Sequence, residues 1–129
     1  MHTDAFRINT CISRLAARHE ATVAAVMEQT DCSAAEVLEC WMEQVRRRDI
    51  IVDGEKWRTA RRMVGFDRCE CVEVEVGKYD VVTDTGPDGR TLASGLDYDE
   101  AIEFAEDYDR QQRLSQMRYV APVDQRYYQ

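Results

Sequence analysis

The sequence predicts an α+β chain in which a helical half, residues 1–66, packs with a half made of a small antiparallel sheet and one long acidic helix, residues 67–129. Three observations predict this. Apolar residues recur at helical spacing through residue 45, valines alternate strictly with polar residues or cysteines between 69 and 76, and a capping signal at 97 opens an acid-rich helical pattern. No internal repeat and no low-complexity linker occurs, so the halves are expected to pack on each other.

The first element follows from "DAFRINTCISRLAAR", where Ile8, Cys11, Ile12, Leu15 and Ala16 share one helical stripe. Thr22 is placed to cap a short second helix carrying Val23, Val26 and Met27. Ser33 and Glu36 form a capping box in which the serine oxygen accepts from the Glu36 amide and Glu36 reaches back. A third helix therefore begins at Ala34, with Val37, Trp41 and Val45 inward and Arg46, Arg47 and Arg48 complementing the dipole of its last turn.

"IIVDG" reads as a strand and a turn. Residues 54–64 admit two readings: Asp53-Gly54 turns a hairpin, or Asp53 caps a fourth helix that buries Trp57, Ala60 and Val64 and stops at Gly65. Periodicity and the glycine favour the helix slightly. Between 69 and 76, Val72, Val74 and Val76 face one way while Cys69, Cys71, Glu73 and Glu75 face outward. "YDVVTD", the turn "TGPDGR" and "TLAS" complete the sheet. Asp97 and Glu100 frame a second capping box, opening a helix that buries Ala101, Phe104, Ala105 and Tyr108 and runs to about 117. The tail, with Pro122, is expected to be extended.

Composition narrows the function classes. A net charge of −8 and a pI near 4.8 disfavour general affinity for nucleic acid or anionic lipid. Five scattered cysteines, an odd number with no signal-peptide pattern before them, predict reduced thiols and a cytoplasmic location. No apolar run approaches the roughly 20 residues of a membrane span. The charge is uneven: residues 1–45 carry −4, residues 46–68 carry +4 and residues 69–129 carry −8. No Walker, dinucleotide or nucleophile-elbow motif occurs, and His2 and His19 belong to no recognisable catalytic signature, so no enzyme, cofactor or catalytic residue is expected. Cys69 and Cys71 supply two thiols without a second ligand pair, so no metal site is expected either.

The segment "TVAAVMEQTDCSAAEVLECWMEQVRRRDIIVDGEKW" resembles a winged helix-turn-helix domain, a likeness covering residues 5–58. It departs from that family in having Asp31 where the turn usually has glycine, a position that tolerates the left-handed conformation in Asp. The resemblance implies that Ala34, Ala35, Leu38, Glu39 and Met42 stand where the family reads bases. None of them offers the Arg, Asn or Gln donors that read purine edges. Such a face suits protein, and packing on the chain's own second half is favoured ahead of partner binding.

Two charged regions offer further contacts. Arg46, Arg47, Arg48, Lys56, Arg58, Arg61 and Arg62 fall where the family's recognition-helix end and wing meet phosphate; the competing reading is a solvated, salt-bridged face. Asp97, Asp99, Glu100, Glu103, Glu106, Asp107 and Asp109, without an intervening cation, imitate a nucleic-acid backbone or simply solubilise a helix. In size and acidity the chain resembles small phage or mobile-element inhibitors of the anti-CRISPR kind. That likeness implies a protein partner, a nucleic-acid-binding complex whose basic groove the acidic or apolar face would occupy. The alternative is a DNA-binding transcriptional regulator using residues 46–62 and dimerising through the second half.

Overall fold

In the computed structural model, residues 2–83 and 90–128 are described, with side chains described over 4–83 and 90–115. Four helices and two small antiparallel sheets make an α+β fold. Helices α1 (His2–Ala17), α2 (Val23–Thr30) and α3 (Ala34–Arg46) come first, followed by the hairpin β1 (Ile50–Asp53) and β2 (Lys56–Thr59). Strands β3 (Arg62–Met63), β4 (Glu70–Glu75), β5 (Lys78–Val82) and β6 (Thr91–Leu96) form the second sheet in that order, and α4 (Tyr98–Tyr128) closes the chain.

The helical signals act where the sequence places them. Thr22 Oγ1 accepts from the Ala25 amide at 3.1 Å and starts α2. The Asp31 backbone sits in the left-handed region at φ 56° and donates back to the Met27 carbonyl, ending α2 as glycine would. Ser33 Oγ accepts from Glu36 N at 3.3 Å while Glu36 Oε1 accepts from Ser33 N at 3.1 Å. The three helices bury Ile8, Ile12, Leu15, Val26 and Val37 in one core, where Trp41 meets Trp57 edge to face at 5.5 Å.

Residues 54–64 form no helix. Asp53 pairs with Lys56 across a hairpin turn at Gly54, whose φ is +74°, and the returning strand β2 bonds both ways with Ala21, in the five-residue link between α1 and α2. That pairing overrides the helical periodicity, because it satisfies β2 backbone groups while still delivering Trp57 to the helical core. Val64, which the helix reading buries, is 73% exposed.

In the second sheet the expected inward and outward sides of β4 do not hold. Cys71 and Val72 are both fully buried, because α4 and β1 each contact β4 and cover both of its faces. Cys69 Sγ and Cys71 Sγ donate to the Ala105 and Ala101 carbonyls of α4, at 3.8 and 3.5 Å. Val76, by contrast, is exposed. Asp97 Oδ1 accepts from Glu100 N at 2.8 Å and Glu100 Oε1 from Asp97 N at 3.1 Å, so α4 opens on the expected capping box. The helix continues to Tyr128 where an extended tail was expected; α-helical backbone passes through Pro122. The turn expected at 85–90 lies, up to residue 89, outside the described residues.

Helical half and second sheet are joined by more than the chain. Glu73 N donates to the Arg61 carbonyl at 2.9 Å, and Arg62 pairs with Val72 in the register of β3 and β4. Met63 and Phe66 pack into the second core with Cys71, Tyr79, Ala101 and Ala105.

Candidate interaction surfaces

The outward face of α3 is open. Ala34, Ala35, Leu38, Glu39 and Met42 are all exposed, Leu38 at 45% and Met42 at 60%. The described residues of the second half leave them exposed, against the expectation that this face packs internally. The reason lies in the helix's inner stripe: Val37, Cys40, Trp41 and Gln44 are the buried positions, and their neighbours on the far side are left to solvent.

Most of the basic band is occupied within the chain. Arg58 is 14% exposed and makes a two-pronged contact with Glu73, at 2.7 and 2.8 Å, while its Nε donates to Asp53 at 2.8 Å. Glu73 is 1% exposed, and the Arg61 amide at 3.1 Å and the Gly77 amide at 3.4 Å complete its donors. Burial pushes the Glu73 pKa up, yet the Arg58 guanidinium and the backbone donors outweigh it, and the carboxyl ends below its ordinary value. Hydrogen bonding to Glu73 correspondingly raises Arg58.

Arg62 ion-pairs with Glu70 and Asp49, and its Nη2 donates to the Arg47 and Arg48 carbonyls at 3.0 Å each, closing the end of α3. These two arginines are salt-bridged cations at the junction, in line with the competing reading of the band as a salt-bridged face. Arg46 and Arg47 lean on Glu43, lowering its pKa through side-chain hydrogen bonding, and Arg48 donates to Thr91 at 3.0 Å. Lys56 and Arg61 make no ion pair among the described residues.

The acids of α4 divide similarly. Asp109 is buried, and its carboxylate accepts from the Asp67 amide at 2.6 Å, the Arg68 amide at 3.0 Å and Cys69 Sγ at 3.8 Å. It fastens the loop before β4 and does not belong to an exposed acidic face. Asp97 and Glu100 serve the capping box, and Asp107 pairs with Arg110. Asp99, Glu103 and Glu106 remain exposed at spacings of four and three residues, one stripe of the helix.

A groove of about 470 Å³ between α1 and α3 was not singled out from the sequence. Ala5, Ile8 and Cys40 give it an apolar floor, and Asp4, Glu36, Glu39 and Glu43 contribute carboxylates. The acids at 36, 39 and 43 are legible as one helical stripe beside Cys40; the contribution from α1 depends on how the helices pack.

The buried thiols of β4 and its approach, and His19, have structural settings. Burial pushes the Cys69 thiol up to about 12, with the Asp109 charge adding to it, and the Cys71 thiol to about 11, so both stay protonated near neutrality. His19 Nε2 donates to the Asp53 carbonyl at 2.7 Å, tying the end of α1 to the hairpin. Among the described residues no group of three or more His, Cys, Asp or Glu is placed to hold a metal ion, and no helix is long and apolar enough to cross a membrane. Comparison with family models, curated proteins and solved structures returned no match.

Proposed function

We propose that the protein is a non-enzymatic binding protein that acts by protein contact through the outward face of α3. The observation that carries this reading is the exposure of Leu38 and Met42 together, side by side with Ala34, Ala35 and Glu39, on a helix that gives Val37, Cys40 and Trp41 to the core. Large apolar side chains grouped on one helix face are unfavourable in water, and covering them lowers the free energy and favours association.

The order of three helices and a hairpin, with Ala21 paired to β2, supports a winged helix-turn-helix-like N-terminal half. On that scaffold the base-reading positions carry apolar or acidic groups and the two best-buried arginines are bound to carboxylates, so protein recognition is favoured over DNA reading. An acidic protein of this shape fits a target that presents a basic nucleic-acid groove, in the manner of an anti-CRISPR-like phage or mobile-element inhibitor; Asp99, Glu103 and Glu106 supply the phosphate-like stripe.

Affinity capture from the native cell with the wild type and with a Leu38→Glu, Met42→Glu double variant tests the proposal. A partner retained by the wild type and lost by the folded variant is expected; equal capture by both excludes the α3 face. The competing DNA-binding reading predicts duplex binding with a steep salt dependence that weakens on replacing Lys56 and Arg61 by Ala. Such binding near physiological salt would overturn the protein-contact reading.

A further inference from the structure

We propose that the groove between α1 and α3 is a docking site for a Lys- or Arg-bearing amphipathic segment of a partner protein. The inference rests on α3 being a docking element and specifies the chemistry of what docks. Ala5, Ile8 and Cys40 are the apolar part of the lining, where Cys40 Sγ donates to the Ala5 carbonyl at 3.9 Å; Asn9 also lines the groove, and its Oδ1 accepts from Gln44 Nε2 at 3.1 Å. The volume of about 470 Å³ is of the size that accepts a small number of side chains.

Charge complementarity selects the occupant. Among the described residues the groove is lined by four carboxylates and no Lys or Arg. Asp4 is ion-paired with Arg7 at 2.9 Å and Glu43 with Arg46 and Arg47, so the lining charge not answered by a cation lies at Glu36, held in place by the Ser33 cap, and at Glu39, which makes no hydrogen bond or ion pair among the described residues. Fixed negative charge around an apolar floor repels nucleic acid and free acids, and it concentrates and orients cations. A lone metal ion is a poor match, since the carboxylates form no metal-holding group. A helix or strand carrying one apolar anchor flanked by Lys or Arg meets both halves of the lining: the anchor covers Ile8 and Cys40, and its cations reach Glu39 at the rim. Glu39 also borders Leu38 and Met42 on α3, so one partner segment can span groove and outer face.

The test is an NMR titration of the full-length ¹⁵N-labelled protein with three synthetic amphipathic peptides, built from Leu and Lys, Ser and Lys, and Leu and Glu. The Leu/Lys peptide is expected to shift the amides of Ala5, Ile8, Asn9, Glu39 and Cys40, with affinity falling as salt rises. The other two peptides are expected to leave those amides in place. Glu39→Lys should weaken binding roughly fivefold or more, and Glu103→Lys on α4 should not. Shifts spread along Asp99, Glu103 and Glu106, or equal binding of the Ser/Lys peptide, would reduce the effect to bulk charge and overturn the proposal. Shifts at Leu38 and Met42 alone would remove the groove while leaving the α3 face as a docking surface. No shift with any peptide, or peptide-independent shifts in the groove that grow with protein concentration, would equally overturn it, the latter in favour of a second copy of the chain.

Discussion

In the basic band, Arg58 and Arg62 turn inward to Glu73, Glu70 and Asp49, while Lys56 and Arg61 stay in solvent. In the acidic stretch of α4, Asp109 turns inward to two backbone amides and a thiol, while Asp99, Glu103 and Glu106 stay in solvent. Both regions stand out in sequence by the sign of their net charge, and both are divided by burial into a few groups that hold the fold and a remainder available for partners. The difference between them is the kind of partner. The half-buried arginines are answered by carboxylates from other strands, whereas the buried Asp109 is answered mainly by main-chain donors. A charge cluster is therefore no measure of a binding surface until its members are sorted by what they touch.

The largest effect that sharpens this contrast is expected at the Arg58–Glu73 pair. Glu73→Ala leaves a mostly buried guanidinium with only Asp53 and the Thr59 carbonyl, and a loss of about 3–5 kcal/mol in urea unfolding is expected. An Arg58→Met, Glu73→Leu double variant should recover most of that loss, because it removes both desolvated charges at once. If the single and double variants are equally destabilised, the pair contributes through side-chain packing alone.

The same pair sets a pH dependence. Glu73 has a folded pKa below the ordinary 4.5, so its contribution is fully present above that value and is lost as pH falls through the lower folded pKa. Thermal unfolding followed by circular dichroism should show stability dropping below pH 4.5, and Glu73→Gln should flatten that drop. An unchanged acid limb in the variant would assign the loss to other carboxylates.

At Asp109 a smaller effect is expected. Asp109→Ala strips the Asp67 and Arg68 amides of their acceptor and should cost about 1–3 kcal/mol, while Glu106→Ala, one turn away and exposed, should stay within about 0.5 kcal/mol. Equal effects at the two sites would erase the distinction between the inner and outer acids of α4. The smallest change is expected on α3, where Leu38→Glu and Met42→Glu should each leave unfolding midpoints within the range of about 0.5 kcal/mol typical of surface sites. A larger loss at either position would mean that the face is covered in solution.

Wherever a short-range signal decides the structure, the sequence was enough. Ser33 with Glu36, Asp97 with Glu100, Thr22 as a cap and Asp31 in the left-handed turn each involve groups within a few residues, and each forms as its local chemistry dictates. The stripe Ile8, Cys11, Ile12, Leu15 and Ala16 was legible for the same reason, since a helix carries its own periodicity. The sequence also showed that the base-reading positions of α3 hold Ala, Leu, Glu and Met.

Only the tertiary structure decided the rest. The pairing of β2 with Ala21, more than 30 residues earlier in the chain, turned an ambiguous segment into a hairpin. Packing of α4 and β1 on opposite sides of β4 buried Cys69, Cys71 and Glu73, which alternation alone placed outside. The same long-range packing left Leu38 and Met42 uncovered, drew Arg58 and Arg62 out of the basic band and opened the acidic groove between α1 and α3. Local hydrogen bonding determines where a helix starts, but which face of an element meets solvent depends on neighbours distant in the chain, and that exposure defines the candidate binding surfaces here.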